Sequence, residues 1–505
     1  MQLRSGLHFG VLGLVAIAAG YGLLTSCSGD SPATPATDAG DAGDASDDAV
    51  VTAKFTPAGC SYTVTPPKIE GFPTFDAHAD VVSPKPDVRY VRRGIGGNTD
   101  TGGLGYADPS TSMAIGWQSD AGTTASRLRF GESESKLDKT QDGFSYLVVP
   151  DRLASGPPEG VRFHEVHVCG LTPGRTYYYQ VGGGPAGKEV WSPVHSLTTA
   201  PAKAATEKVL VGIAGDSRDS DGTTTQPAWA AITKRMKNAG VGVSITTGDS
   251  VLFGYNQDLW DVWSKAIGES GTSVFFAMSL GNHEAEFTRN YGHLLMPTSG
   301  TDHSERYGSF DWGPVHFVMI DDEFGIVSPA ADESGTYRPE LLAWLDKDLA
   351  KANANRANVP WIVTYHHHPF YSSTAQSGRD KEAAKVREAF QATFDKHHVN
   401  LDVAGHDHFY ERNNPVKADK ADPTGTVYLI SGAAGAPAYD TKAGNPFSAK
   451  IQRYQNKDTS GGQGIYSIAT VDGASFKITT YVMQSPTSGS SPSDDTVLET
   501  FELTK

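Results

Sequence analysis

The stretch Gly405-His406-Asp407-His408-Phe409-Tyr410-Glu411-Arg412 closes a series of five short polar blocks in the second half of the chain. The earlier blocks are, in order, Gly215-Asp216-Ser217-Arg218, Gly248-Asp249-Ser250, Gly281-Asn282-His283-Glu284 and His366-His367-His368-Pro369. Together they supply carboxylates, an amide and imidazoles, which are the ligands that hold divalent cations side by side. The series therefore predicts a metal centre in this half of the protein.

Short apolar runs come directly before four of these blocks, at residues 209–214, 241–246, 275–280 and 361–365. Their length and apolar content favour buried strands. Longer stretches with helical periodicity, such as 339–353 and 380–396, fill the gaps between the runs. The blocks are thus predicted to lie at the carboxyl ends of strands in an α/β sheet, where such sheets bind their ligands.

The chain before residue 201 has a different pattern. Runs rich in β-branched and aromatic residues recur between turn residues, around Val88, Met113, Leu128, Tyr146, Phe163, Tyr178 and Val190. About seven short strands with such spacing favour a sandwich of two sheets. We therefore predict a β-sandwich at 61–200, and a second domain at 206–505 that holds the five blocks and ends in further strands.

The N-terminus predicts export. Arg4 precedes an apolar run at 9–24 that is short for a bilayer span, and the run ends in Leu24-Thr25-Ser26-Cys27. These four residues resemble a bacterial lipobox. We therefore expect residues 1–26 to be a lipoprotein signal peptide and Cys27 to carry lipid that anchors the protein to a membrane, at the outer membrane or cell surface. An ordinary signal peptide with a chance cysteine is the alternative.

Residues 27–60 contain much Asp, Ala, Gly, Ser and Pro, so they bury little apolar area and are expected to form a disordered acidic tether. The formal net charge of -16 leaves no basic footprint for nucleic acid. Once Cys27 is assigned to lipid, Cys60 and Cys169 remain as an even pair in an oxidising compartment, and a disulfide between them is expected. Two separate buried thiols are the alternative. The oligomeric state stays open.

The block series resembles the motif series of the calcineurin-like metallophosphoesterases, and its last block is similar to the GHxHxYER pattern of the purple acid phosphatase branch. Residues 307–317 and the sandwich in front also resemble that branch. Within the sandwich, residues 171–177 are similar to the tyrosine corner of fibronectin type III domains. The implied fold is a multidomain α+β and α/β protein. It consists of a fibronectin type III-like β-sandwich followed by a four-layer α/β/β/α metallophosphoesterase domain.

The resemblance also implies two divalent cations, Zn, Mn or Fe, and a role for each block. The implied ligands are Asp249 as the bridge, Asp216 and His408 at one ion, and Asn282, His367 and His406 at the other. His283 matches the imidazole that lies beside the departing oxygen, where it donates a proton or stabilises charge. In the alternative interpretation, His283 only supports a metal ligand.

Two positions depart from the purple acid phosphatase pattern. Arg218 stands where that branch has a glycine. Leu252 stands where it has a tyrosine, whose phenolate holds ferric iron and gives the colour. Tyr255 lies three residues later and replaces this ligand only if the loop is rearranged. We therefore expect a colourless enzyme with two divalent ions. Arg218 either binds the substrate phosphate or lies on the surface, and both interpretations stay open.

The function implied by the resemblance is hydrolysis of phosphate monoesters through attack of a metal-bound hydroxide, in the service of phosphate scavenging at the cell surface. The partners are then a phosphate ester substrate and, through the lipid, a membrane. A phosphodiesterase or nucleotide-cleaving enzyme is the alternative. A surface binding protein that has kept the fold after losing catalysis is a third hypothesis, from another class of protein.

Overall fold

The computed structural model describes residues 51–97, 107–149, 156–218, 225–284, 287–332, 334–453, 464–487 and 489–503. The predicted signal peptide, Cys27 and the tether up to residue 50 lie outside the described residues. The chain from Ala49 to Lys505 forms one compact unit. Among the described residues, no helix has both the length and the apolar character needed to cross a membrane.

The N-terminal part consists of strands in two sheets. The strands are β1 (Val51–Thr52), β2 (Phe75–Ala77), β3 (Arg89–Gly94), β4 (Ser112–Ser119), β5 (Arg127–Gly131), β6 (Lys139–Asp142), β7 (Phe144–Val148), β8 (Val161–Cys169), β9 (Thr176–Gly183), β10 (Val190–Trp191) and β11 (His195–Thr198). One sheet has the order β1-β2-β7-β8-β4-β3, and the other has the order β10-β9-β5-β6 with β11 beside β9. A buried apolar cluster that includes Ile115, Leu128 and Tyr179 lies between them, as the sandwich prediction requires.

The segment from Val51 to Cys60 corrects the predicted tether, which was placed at 27–60. Strand β1 pairs with β2, and Phe55 forms a bridge with Val64. A disulfide joins Cys60 to Cys169 at the end of β8. The Phe55 ring also packs against Phe144, with ring centroids 5.2 Å apart. These contacts make the segment part of the folded body. Phe55 packs against Phe144 and Cys60 is bonded to Cys169, and both partners are distant in the sequence.

The second part alternates strands and helices. Its strands are β12 (Val209–Ala214), β13 (Val243–Thr246), β14 (Phe275–Met278), β15 (Tyr307–Trp312), β16 (Val315–Ile320), β17 (Trp361–Tyr365), β18 (Leu401–Ala404), β19 (Tyr410–Asn413), β20 (Val416–Lys417), β21 (Lys420–Ala421), β22 (Val427–Ser431), β23 (Ser448–Gln452), β24 (Ile465–Val471), β25 (Phe476–Val482) and β26 (Thr496–Leu503). Its helices are α1 (Pro227–Ala239), α2 (Gln257–Ile267), α3 (Phe287–Leu294), α4 (Tyr337–Ala354), α5 (Arg379–Val386) and α6 (Ala392–His397), with a π-helical segment at Arg387–Gln391 between the last two.

These strands form two large mixed sheets. One has the order β14-β13-β12-β24-β25-β26, and the other has the order β15-β16-β17-β18-β22-β19-β23. The sheets pack face to face, with Trp361 of one against Phe476 of the other at 5.5 Å between ring centroids. Helix α1 packs through Trp229 on Phe276 of the first sheet. Helix α4 buries Leu345 against the second sheet. The result is the predicted four-layer α/β/β/α arrangement.

Parallel pairing brings the polar blocks together. β12, β13 and β14 run parallel in the first sheet, and β16, β17, β18 and β22 run parallel in the second. Because the carboxyl ends of parallel strands meet at one edge, the blocks that follow β12, β13, β14, β17 and β18 converge there.

The sandwich is fastened to this part through buried polar contacts. Arg93 of β3 donates hydrogen bonds to the Thr198 carbonyl at 2.8 Å and to the Ser273 carbonyl, just before β14, at 3.1 Å. The Tyr179 hydroxyl donates to the Thr272 carbonyl at 2.7 Å. Within the sandwich, the Tyr177 hydroxyl accepts a hydrogen bond from the Thr172 backbone N–H at 3.1 Å. The sandwich therefore supports the segment that leads into the Asn282 block.

Candidate metal centre

Two aspartates occupy sharp turns at the ends of neighbouring strands. Asp216 and Asp249 have φ angles of 55° and 52°, in the left-handed region that non-glycine residues seldom adopt. The turns are tied together, because the Asp216 backbone N–H donates to the Gly248 carbonyl at 3.1 Å. A side chain at Gly248 would meet the Gly281 nitrogen at 2.6 Å, so only glycine allows the Asp249 and Asn282 turns to lie so close. The backbone strain thus serves to place two buried carboxylates at one point.

Two imidazoles and an amide face Asp249 from the other sheet and from the β14 turn. The Nε2 atom of His367 lies 3.0 Å from Asn282 Oδ1, 3.0 Å from His406 Nδ1 and 3.3 Å from Asp249 Oδ1. On the other side of the carboxylates, His408 Nε2 lies 3.5 Å from Asp216 Oδ1. The structure therefore brings together all six predicted ligands, three of them around His367 Nε2.

The hydrogen bonds behind these imidazoles determine which nitrogen is free of a proton. His367 Nδ1–H donates to the Thr247 carbonyl at 2.7 Å, and His408 Nδ1–H donates to the Pro437 carbonyl at 2.7 Å. His406 Nε2–H donates to Glu382 at 3.0 Å. Each neutral ring then points an unprotonated nitrogen into the centre, where the remaining atoms are also acceptors. Such a set of converging lone pairs fits divalent cations.

The charges of the centre also favour the binding of divalent cations. Burial raises the pKa of Asp216 to about 8, and the nearby Asp249 carboxylate adds to this. Burial also acts to raise the pKa of Asp249, but His367, His283 and Arg218 lower it to about 2. Burial and Arg218 lower the pKa of His408 to about 4, so its ring is neutral at pH 7. Cations would remove the repulsion between the two buried carboxylates and use the neutral imidazoles as ligands.

The three consecutive histidines separate into different environments. His366 is completely buried between two carboxylates, with Nδ1 2.9 Å from Asp322 and Nε2 3.1 Å from Asp402. Burial opposes its charge, but the two carboxylates raise the pKa of His366 to about 10. His368 lies 3.3 Å from Asp322 and 3.3 Å from Glu323, although its ring is also close to those of His367 and His406. Of the three, only His367 points a nitrogen at Asp249.

His283 lies at the edge of the centre. Its backbone N–H donates to Asp249 Oδ1 at 3.2 Å, and its Nδ1–H donates to the Leu252 carbonyl at 2.7 Å. Its Nε2 atom lies 3.8 Å from Asp249 Oδ2, and 24 % of its side chain is exposed. Burial lowers the pKa of His283, while the Asp249 charge acts in the opposite direction. The ring is thus half-buried, and its orientation is determined by one backbone hydrogen bond.

Glu284 organises the two turns rather than facing the centre. Its buried carboxylate accepts hydrogen bonds from four backbone N–H groups, those of Asp249, Ser250, Val251 and Gly281, at 2.9, 2.8, 3.2 and 2.7 Å. Such a carboxylate stabilises the left-handed turn at Asp249 and joins it to the Asn282 turn.

The structure also describes the residues at and near the two positions that depart from the purple acid phosphatase pattern, Arg218, Leu252 and Tyr255. Arg218 is buried, with 7 % of its surface exposed, so the surface interpretation is wrong. Its Nε–H donates to Asp249 Oδ2 at 3.3 Å. Leu252 offers only its carbonyl to His283. Tyr255 is 37 % exposed and its ring stacks on Phe253 at 5.5 Å, which leaves it outside the cluster of ligands.

Two residues near the centre lie on helix α5, outside the five blocks. Glu382 accepts a hydrogen bond from His406 Nε2–H, and Arg379 Nη1 lies 3.3 Å from His406 Nδ1. Sequence reasoning missed both, because they follow no motif and a helix that starts with Arg-Asp-Lys-Glu is typical of an exposed surface. The available signal was the presence of charged residues on the helix that follows the histidine triplet.

Comparison with known families agrees with this architecture. Residues 101–199 match the family described as the purple acid phosphatase N-terminal domain, and residues 225–410 match the calcineurin-like phosphoesterase family. The solved structure of the purple acid phosphatase PPD1 from yellow lupin (Lupinus luteus) seeds superimposes with a TM-score of 0.63 at 17 % identity, over 83 % of this chain and 74 % of that one. The fold and site thus define a calcineurin-like metallophosphoesterase.

Relatives in sequence place the chain more closely. It is 30 % identical to purple acid phosphatase 21 of Arabidopsis thaliana over 335 residues, which cover 64 % of this chain and 68 % of the relative. It is 26 % identical to the Fe(3+)-Zn(2+) purple acid phosphatase 12 of the same plant over 250 residues, 48 % of this chain and 50 % of that one. The chain belongs to the purple acid phosphatase family, whose members are hydrolases with a dinuclear metal centre.

Proposed function

We propose that this protein hydrolyses phosphate monoesters at a dinuclear centre. In this proposal Asp249 would serve both ions, Asp216 and His408 would complete one site, and Asn282, His367 and His406 would complete the other. The single observation that supports it best is the convergence of Asn282 Oδ1, His406 Nδ1 and Asp249 Oδ1 around His367 Nε2, at 3.0 to 3.3 Å. When bound, two divalent cations lower the pKa of a water molecule and neutralise charge on phosphoryl oxygens.

The residues of the chain supply the remaining chemistry. His283 lies at the partly exposed edge, with its Nδ1–H held by the Leu252 carbonyl, so its Nε2 is the atom that can carry a proton to a departing oxygen. Arg218 places a positive charge against Asp249 and stabilises the anionic form of this bridge. We propose that Arg218 orients Asp249 and adds positive charge at the phosphate site.

We also propose that both ions are divalent and that the protein is colourless. In the described loop after Asp249, the tyrosine position of the coloured branch holds Leu252, and Tyr255 points away towards Phe253. Neither residue offers a phenolate to the cluster. The absorption spectrum of the purified protein tests this directly, since a visible charge-transfer band would contradict it.

The proposed reaction is tested on protein stripped with a chelator and then loaded separately with Mn and with Zn. We expect metal analysis to give two ions per chain and initial rates to be faster on an aryl phosphate monoester than on the matching bis-aryl diester. Faster diester cleavage would favour the phosphodiesterase alternative. Full metal loading without hydrolysis of either ester would favour the binding protein.

The location remains a separate proposal. We propose that Cys27 is lipidated, that the acidic segment after it holds the fibronectin type III-like sandwich and the metal centre away from the membrane, and that the enzyme scavenges phosphate at the cell surface. The composition of 28–50 and the lipobox-like residues before Cys27 support this. Mass analysis of the mature N-terminus tests it, with a Cys27→Ala variant as control. An unlipidated mature chain would contradict it.

A further inference from the structure

Arg379 is a cation directly beside the metal centre that the proposed mechanism does not use. It is the first residue of α5, and 19 % of its side chain is exposed. Its Nη1 atom lies 3.3 Å from Nδ1 of His406, which is the nitrogen that faces His367. The guanidinium therefore lies beside His406 at the edge of the centre, whereas Arg218 contacts Asp249.

Neighbouring groups hold the guanidinium in this orientation. Glu382 accepts from Nη1 at 3.0 Å, and Asp407 Oδ1 lies 3.6 Å from Nε. The Tyr439 ring, which stacks on His408 at 3.9 Å, lies 6.0 Å from the Arg379 guanidinium carbon. Within the described part of the chain, the contacts of this guanidinium use Nε and Nη1, and none uses Nη2. The guanidinium is thus held by the hydrogen bond of Nη1 to Glu382, and its remaining N–H donors are left for another group.

A cavity of about 300 Å³ opens at this place. Its lining includes the buried His406 and Asp407, the partly exposed Arg379 and the exposed Lys442. The cavity therefore connects the edge of the metal centre to solvent past the Arg379 side chain. A substrate whose phosphoryl group lies at the centre would pass this guanidinium.

We propose that Arg379 binds a non-bridging oxygen of the substrate phosphoryl group and makes the enzyme selective for dianionic monoesters over monoanionic diesters. This inference rests on the proposed function, and it names the charge of the preferred substrate. A guanidinium donates paired, charge-assisted hydrogen bonds to phosphate oxygens. A monoester offers a second negative charge and one more unsubstituted oxygen than a diester, so the same cation binds the monoester more strongly.

The test compares Arg379→Met with Lys442→Met in the metal-loaded full chain. Lys442 lines the same cavity and carries the same charge, but it is 48 % exposed, and among the described residues its ion pair is with the exposed Asp380 at 3.4 Å. For Arg379→Met we expect kcat/KM for the aryl monoester to fall about tenfold to hundredfold and that for the bis-aryl diester to fall less. Lys442→Met is expected to leave both rates close to those of the unchanged protein.

A second readout does not depend on turnover. Titration calorimetry with inorganic phosphate should show about tenfold weaker binding to Arg379→Met, with two ions per chain still present. If the Met variant loses metal because Glu382 and His406 shift, Arg379→Gln provides the same readouts, since its amide still donates to Glu382.

An unchanged monoester-to-diester ratio together with unchanged phosphate binding in a fully loaded variant would overturn the inference. Equal losses on both esters would overturn the selectivity and leave only a general role. The proposed function fails separately, when the unchanged loaded protein hydrolyses neither ester.

Discussion

The protein contains two kinds of buried histidine, and the comparison between them shows what separates a metal ligand from a structural ion pair. At the metal centre, His367 and His408 donate from Nδ1 to backbone carbonyls, which leaves Nε2 without a proton. Outside the five blocks, His316 of β16 has carboxylates on both nitrogens, Asp311 at 2.7 Å and Asp348 at 2.9 Å. A carbonyl partner thus yields a neutral ligand, whereas two carboxylates yield a buried cation.

The His316 cluster is complete without a metal. Burial opposes the charge of the ring, but Asp348 and Asp311 raise the pKa of His316 to about 10. The outer oxygens of the two carboxylates are also used, because Lys203 lies 3.3 Å from Asp311 and the Ser309 hydroxyl donates to Asp348 at 2.8 Å. Charge is balanced within the cluster, whereas at the metal centre the excess of lone pairs requires added cations.

The largest effect is expected at the bridge of the metal centre. Asp249→Asn removes the charge that both proposed ions share, so we expect turnover on the aryl monoester to fall at least about 1000-fold and metal analysis to give fewer than two ions per chain. Asp258→Asn, on the exposed first turn of α2, is the control. Normal metal content and rate in Asp249→Asn would show that the comparison assigns the wrong residues to the centre.

The next effect is expected in the His316 cluster. His316→Gln leaves two buried carboxylates without their cation, and breaking such a pair costs about 3–5 kcal/mol in the free energy of unfolding. Chemical denaturation measures this loss, and metal content per folded chain should stay at two. A loss of metal with little change in stability would mean that this cluster, too, serves the centre.

The same cluster predicts a dependence on pH. The pKa of His316 is raised from 6.5 in the unfolded chain to about 10 in the folded one. The stabilisation is therefore fully present below pH 6.5 and is lost as the pH rises through about 10. The stability difference between the unchanged protein and His316→Gln should shrink over this range. A difference that stays constant up to pH 10.5, above the pKa of about 10, would contradict a charged His316.

The smallest effect is expected from Glu382, because it acts on a ligand and not on the ions. Glu382→Gln weakens the acceptor of His406 Nε2–H, and such changes behind a ligand lower metal affinity by about tenfold to hundredfold. Competition with a chelator measures this affinity. Glu388→Gln, whose side chain is 76 % exposed, is the control. Equal affinities for the two variants would show that Glu382 only pairs with Arg379.

The sequence predicted much of the fold because its local patterns agree with its global structure. The runs before Gly215, Gly248 and Gly281 are strands β12, β13 and β14, and the run before the histidine triplet is β17. The tether boundary was wrong because residues 51–60 contain few large apolar side chains. Their order comes from pairing with β2 and from the disulfide to Cys169, both distant in the sequence.

The five blocks, their order and their position after apolar strands determined the class of site, because each residue type carries its own ligand chemistry wherever the chain places it. The resemblance to a known motif series also named His367 within the histidine triplet. Tertiary structure alone decided that Arg218 is buried against Asp249, and that Arg379 and Glu382 of α5 contact His406. These outcomes depend on which partner approaches each nitrogen or carboxylate from another strand or helix. The sequence does not give the distances between these side chains. The packing of the two sheets and helix α5 determines them.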